Sequence, residues 1–288
     1  MELEVISRLP QPTNNKSNIP LLFVHGAWHA AWCWDEYFLP YFAQAGYPAY
    51  ALSLRGHGKS EGDLHGAGLQ EYIQDVRQVS QQLDQAPVII GHSMSGYVVL
   101  KYLEQYTAPG AVLMGAMSPT MPPRFLKTLA YPATWLGAKL LRNKLLPAPP
   151  ARWAKPMLFS PSLDDNVALD YGRRLENDSL AFIFDFMRPS PVLTRQIKRT
   201  PLLIQTAMND SRRKYLLNEN DAVRFEADYQ LFKNTAHDMM LENSWQEVAD
   251  GILSWLAKLC GSEQKIPVSD LANNPDYLPE IRSAHFQD

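Results

Sequence analysis

The sequence predicts an α/β protein: a mostly parallel central sheet flanked by helices, with a helical cap insertion. Short apolar runs bounded by turn residues alternate with longer segments of helical period, which is the rhythm of strands covered by helices. That rhythm stops near residue 118 and resumes near residue 201. With 288 residues, 46% of them hydrophobic and 20% charged, the chain can bury one large core that carries an insertion.

The segment from Glu2 to Leu9 alternates apolar and polar residues and predicts an edge strand. Pro20 to Val24, Pro48 to Leu54, Pro87 to Ile90, Ala111 to Gly115, Pro201 to Thr206 and Tyr229 to Lys233 are predicted as parallel strands buried on both faces. Leu69, Tyr72, Ile73, Val76, Val79 and Leu83 recur at helical spacing, as do Trp245, Val248, Ile252, Leu256 and Leu259. These elements assign residues 1–117 and 201–262 to the core. Residues 118–200 include MPPRFLKTLAYPATWLGAKLLRNKLLPAPPARWAKPMLFS, too long and too apolar for a structureless loop, and are assigned to a helical cap, or lid. Residues 263–288 have no periodicity and are expected to pack along the body as a C-terminal extension.

Composition narrows the partners. The net charge is −3 and no stripe of Lys or Arg exists to neutralise phosphates, so nucleic acid is not an expected partner. The two cysteines, Cys33 and Cys260, make no disulfide framework and are expected as free thiols, which suits a cytoplasmic location. No stretch approaches the roughly 18 apolar residues of a transmembrane helix, and the N-terminus lacks a basic start followed by an apolar run. Nothing in the sequence sets an oligomeric state.

Chemistry concentrates at four places. Ser93 lies in VIIGHSMSGYVVLKYLEQY, where an apolar strand ends at Gly91 and a helical pattern begins straight after the serine. Such a sharp turn exposes a nucleophilic hydroxyl and requires small residues two positions to either side. Gly91 meets that demand; Ser95 stands at the second position, followed by Gly96, and its hydroxyl is expected to cap the new helix. A serine hydroxyl is a weak nucleophile and needs a base. His237, in DYQLFKNTAHDMMLE after the last predicted strand, is the candidate base. The acid that orients it should follow the preceding strand, where PLLIQTAMNDSRR offers Asp210, with Asn209 and Asp221 as alternatives.

In LLFVHGAWHAAWCW the chain turns at His25 and Gly26, so that the Ala27 amide, with that of Met94 after the serine, can receive the charge of a tetrahedral intermediate. His25 and His29 share no helix and lack a third ligand at a telling spacing. Neither a metal nor an organic cofactor is expected.

The motifs VHGAWHAAWCW, ALSLRGHGKSEG, GHSMSG and AHDMMLE, in that order over residues 20–260, resemble the α/β-hydrolase superfamily in its lipase, esterase and lysophospholipase-like branch. The resemblance implies Ser93 as nucleophile, His237 as base, Asp210 as acid, and Ala27 and Met94 as oxyanion-hole amides. It makes the RGHGKS loop structural, leaving His57 without a catalytic role, and makes the insertion the variable cap. The implied activity is ester hydrolysis through an acyl-enzyme. A lyase or C–C hydrolase on the same triad, and a ligand-binding receptor with little turnover, are the alternatives that fold alone leaves open. The cap's large apolar residues, including Phe182, Phe184 and Phe186, predict a small-molecule ester with an apolar acyl or aromatic group; Trp135, Trp153 and Phe159 are its candidate pocket residues. Arg124, Lys127, Lys139, Arg142 and Lys144 among the apolar residues allow peripheral membrane contact.

Overall fold

The computed structural model describes residues 1–11, 19–118, 145–187 and 192–262. A seven-stranded sheet carries the fold, built from β1 (Val5–Arg8), β2 (Leu21–Val24), β3 (Ala49–Leu52), β4 (Val88–His92), β5 (Ala111–Met114), β8 (Leu202–Ala207) and β9 (Asp228–Phe232) in the order β1-β3-β2-β4-β5-β8-β9. Only β1 runs antiparallel to its neighbour. Strand alternation divides the core between the two faces. Leu21 and Phe23 of β2 join Trp34, Phe38 and Phe42 on one side, while Leu22 and Val24 join Tyr72, Ile73 and Val98 on the other.

The helices of the first face include α1 (Trp32–Asp35), α2 (Phe38–Gln44) and α10 (Trp245–Ser262); α3 (Leu69–Gln82) and α4 (Met94–Leu103) cover the second. In α3 the residues Leu69, Tyr72, Ile73, Val76 and Val79 are buried, and the Glu71 carboxylate accepts from the Gly68 amide to close the first turn. All ten residues of α4 are buried, so this helix lies inside the layer structure and not on its surface.

One strand departs from the sequence expectation. β9 is partly exposed along its length where a fully buried strand was predicted, because it pairs with β8 alone and forms the sheet edge. Residues 145–200 also differ from a purely helical insertion. They hold α5 (Ala151–Leu158), α6 (Asp165–Arg173), α7 (Leu180–Met187) and α8 (Thr194–Ile197), but also a short antiparallel ladder of β6 (Leu145–Leu146) with β7 (Asp178–Ser179). Pro147, Pro149 and Pro150 follow β6 and deny a helix its amides there. α7 lies against α3, whose first amide, on Leu69, donates to Asp185 of α7 at 3.0 Å. The remaining helix, α9 (Glu219–Phe225), connects β8 to β9. Trp135 and the C-terminal extension lie outside the described residues. Among the described residues no helix is long and apolar enough to cross a membrane.

Candidate active site

β4 and α4 meet at Ser93, whose φ of 53° and ψ of −113° place a non-glycine residue in left-handed space. Such a conformation costs about 1–3 kcal/mol and persists where the surroundings over-determine it. They do so here by close packing. A Cβ at Gly91 would sit 2.6 Å from the Ser95 carbonyl oxygen, and one at Gly96 would sit 2.3 Å from the Ala116 Cβ. Position 95 tolerates a serine because its hydroxyl leaves the turn to donate to the carbonyl of His25, and so does not cap α4 as the sequence suggested. That bond joins the turn at Ser93 to the loop after β2.

His237 enters from the loop after β9. Its Nε2 lies 2.8 Å from Ser93 Oγ and its Nδ1 lies 2.5 Å from Asp210 Oδ2. The structure thus brings Ser93, His237 and Asp210 into one hydrogen-bonded line, all three buried. Asp210 also accepts from the Arg212 amide at 2.8 Å and faces the Arg212 guanidinium at 3.4 Å. Burial alone would raise its pKa, but the His237 ring and the Arg212 charge outweigh it and hold the carboxyl well below the usual range. The alternatives are elsewhere. Asp221 caps the start of α9, accepting from the Asn218 amide, and the Asn209 amide donates to the Thr235 carbonyl, tying the two loops together.

Ala27 and Met94 line the same cavity as Ser93, and neither amide donates to a protein acceptor among the described residues. His25 is structural: its Nε2 accepts from the Leu54 amide and its Nδ1 donates to the Gly26 carbonyl. His29 is bonded through both ring nitrogens, to the Ala27 carbonyl at 2.8 Å and to Asp238 Oδ2 at 3.1 Å. Burial opposes its charge, yet the Asp238 carboxylate outweighs burial and raises its pKa. His92 behaves oppositely. Burial and the neighbouring His237 lower it to about 3, and its neutral ring donates from Nε2 to the His237 carbonyl at 3.0 Å. His92, His237 and Asp238 bring potential metal-ligand atoms within 4.8 Å of one another, but both nitrogens of His237 are engaged by Ser93 and Asp210.

The cavity over Ser93 is mainly apolar, with Met117, Leu146, Leu158, Phe182, Ile183 and Phe186 among its walls. Trp153 and Phe159 do not line it. Trp153 is half-buried on α5, and Phe159, extended just past the end of that helix, packs on Tyr171 with ring centroids 5.7 Å apart. Leu158, one position earlier, takes the place expected of its neighbour. Phe182 and Phe186 share a face of α7 through their i, i+4 spacing, while Phe184 points outward and is exposed. Sequence reasoning passed over His92, Asp178 and Asp238, and weighed His29 only as a metal ligand. The one local signal was the aspartate directly after His237 in AHDMMLE.

A family model described as "Alpha/beta hydrolase family" matches residues 21–251. The chain belongs to this family. A non-heme chloroperoxidase from Streptomyces lividans is 32% identical over 118 residues, 41% of this chain and 42% of that protein. A bifunctional esterase/perhydrolase from Acinetobacter calcoaceticus is 34% identical over 107 residues, 35% of this chain and 38% of that protein. The chain therefore aligns with about two fifths of the length of these curated relatives. A solved carboxylesterase of Nitrososphaera gargenis superposes with a TM-score of 0.70 over 90% of this chain and 96% of that one, at 17% identity, a likeness of fold.

Proposed function

We propose that the chain is a serine esterase that cleaves a carboxylic ester bearing an apolar acyl or aromatic group. One observation carries this reading: the hydrogen-bonded line Ser93–His237–Asp210 opens into an apolar cavity. His237 accepts the Ser93 proton through Nε2 as the hydroxyl attacks the ester carbonyl, while Asp210 holds Nδ1–H and stabilises the imidazolium. The amides of Ala27 and Met94 receive the oxyanion, His237 returns the proton to the departing alkoxide, and water repeats the sequence on the acyl-enzyme. The reading calls for no cofactor. It treats residues 118–200 as a cap over the core and includes a cytoplasmic setting, which the free, buried thiol of Cys33 supports.

The test is hydrolysis of p-nitrophenyl esters from acetyl to palmitoyl, beside labelling by a fluorophosphonate. Wild type should label and turn over, and Ser93→Ala should lose both, with kcat down by about 10⁴-fold or more. Labelling without turnover of any ester would favour a lyase or a ligand-binding protein instead.

A second reading has its own support in relatives named chloroperoxidase and esterase/perhydrolase. Hydrogen peroxide in place of water would take the acyl group from Ser93, releasing a peracid and the free hydroxyl. Peracid formation from ester plus peroxide, lost in Ser93→Ala, is its expected sign; ester cleavage without peracid would exclude it.

A further inference from the structure

The peptide that joins Ala27 to Trp28 is gripped at both ends. Its carbonyl accepts from His29 Nδ1 at 2.8 Å, and its N–H, on Trp28, donates to Asp178 Oδ2 at 2.9 Å. Trp28 itself has a φ of 68°, a conformation that a bulky residue keeps only under constraint. Its own carbonyl accepts from the Glu176 amide at 2.8 Å. Both backbone polar groups of Trp28 are therefore held by residues 176 and 178, which lie about 150 positions further along the chain. Ala27, which lines the cavity, is joined to Trp28 through this gripped peptide, while the peptide that carries its own N–H is held at the Gly26 carbonyl by His25 Nδ1.

Asp178 is wholly buried and fully partnered. Its Oδ1 accepts from the Ser179 amide at 2.6 Å and the Tyr72 hydroxyl at 3.4 Å, and it faces His57 Nε2 at 3.5 Å. Burial works against its charge, but His57 and the two amides hold the carboxyl below its ordinary value, so it remains an acceptor-only anion. A carboxylate at this point can accept from Trp28 and Ser179 at once. An asparagine, with one acceptor oxygen, cannot.

We propose that Asp178 is a positioning residue of the oxyanion hole, holding the Ala27–Trp28 peptide so that the Ala27 amide points at the developing negative charge. The inference rests on the proposed roles of Ser93 and the Ala27 amide. It gives the inserted segment a part in catalysis beyond choosing the substrate, and it gives His57 an indirect one as the partner of Asp178.

The experiment compares wild type with Asp178→Ala, Asp178→Asn and Tyr72→Phe on a p-nitrophenyl ester. It also measures affinity for an alkyl trifluoromethyl ketone. Ser93 Oγ adds to that ketone, its proton passes to His237, and the resulting hemiketal oxyanion sits where the ester's would. Removing a single oxyanion donor outright costs about 10²–10³ in kcat. Misplacing one through Asp178→Ala should lower kcat by roughly ten- to a hundredfold with KM within about threefold. Ketone affinity should fall by the same factor as kcat/KM. Asp178→Asn should be intermediate in both, and Tyr72→Phe, which leaves the Trp28 bond intact, should stay within about threefold of wild type.

A folded Asp178→Ala with wild-type kcat, or with lowered kcat but unaltered ketone affinity, overturns the inference. If Asp178→Ala fails to fold, Asp178→Asn decides by the same two readouts. A wild-type protein that neither turns over ester nor reacts with a fluorophosphonate overturns the parent reading and this one together. An active wild type with indifferent Asp178 variants overturns this one alone.

Discussion

At the scale of single residues, the assignment of Asp210 over Asp221 can be tested directly. Asp210→Asn replaces the carboxylate that accepts from His237 Nδ1 with a neutral amide that neither fixes the ring's tautomer nor stabilises the imidazolium, so kcat should fall by about 10⁴-fold. Asp221→Asn, at the exposed cap of α9, should leave kcat within about twofold, and the opposite ranking would refute the assignment. The same carboxylate carries a pH signature. Its folded pKa is depressed, so its contribution to stability is full above the unfolded value near 4 and is lost as pH falls through the lower folded value. The melting temperature of Asp210→Asn should therefore trail wild type most at neutral pH and converge below about pH 4. What was legible here was local. Ser93 and His237 announce themselves because a strand, a turn and the next element surround each in a short stretch of sequence. Asp178 could not, since its partner Trp28 is 150 positions away, and Asp238, although it follows His237 directly, gives no sign of its partner His29, 209 positions away; only the fold brings these pairs together.

At the scale of elements, the seven sheet strands were legible to within a few residues, β1 by its alternation and the other six because buried parallel strands are nearly continuous apolar runs. The exception in burial, β9, shows the limit: a run of Tyr, Leu and Phe does not record whether a second strand will flank it. Side-chain direction in the insertion was illegible for a similar reason, as Leu158 and Phe159 differ by one position but face different neighbours. This moves the expected specificity determinants. Leu158→Ala and Phe186→Ala should shift the preferred ester toward longer acyl groups, each pocket methylene being worth about 1–3 kcal/mol in kcat/KM, while Trp153→Ala should leave the chain-length profile unchanged. A profile altered by Trp153→Ala alone would return that residue to the pocket. The contact of α4 with the segment just after β5 makes another prediction. Gly96→Ala drives a methyl group into Ala116, and overpacking of this kind should destabilise the protein by about 1–3 kcal/mol in urea unfolding. An unaltered midpoint would mean that α4 can shift to accept it.

At the scale of the whole molecule, the inserted segment is tied to the core by buried polar bonds at several separated places. Asp178 and Glu176 hold the loop after β2, and Asp185 caps α3. The Asp238 amide donates to the Leu158 carbonyl, the Arg212 guanidinium to the Met157 carbonyl, and both the amide and hydroxyl of Ser160 to the Glu242 carboxylate. A lid that opened as an independent unit would have to strip these groups of partners, at about 1–3 kcal/mol for each one left unsatisfied away from water. The segment and the core should therefore unfold as one cooperative unit. Urea transitions followed by tryptophan fluorescence and by far-UV circular dichroism should coincide, and amides of α5 and α6 should exchange with protection close to that of the central strands. Glu242→Ala offers the sharper test, because it removes the shared acceptor of the Ser160 amide and hydroxyl at the junction of α5 with the core and leaves the amide unpaired. In that variant the amides of α5 should lose protection ahead of β4 and β5, and a segment that already exchanged early in wild type would show the insertion to be a separable lid.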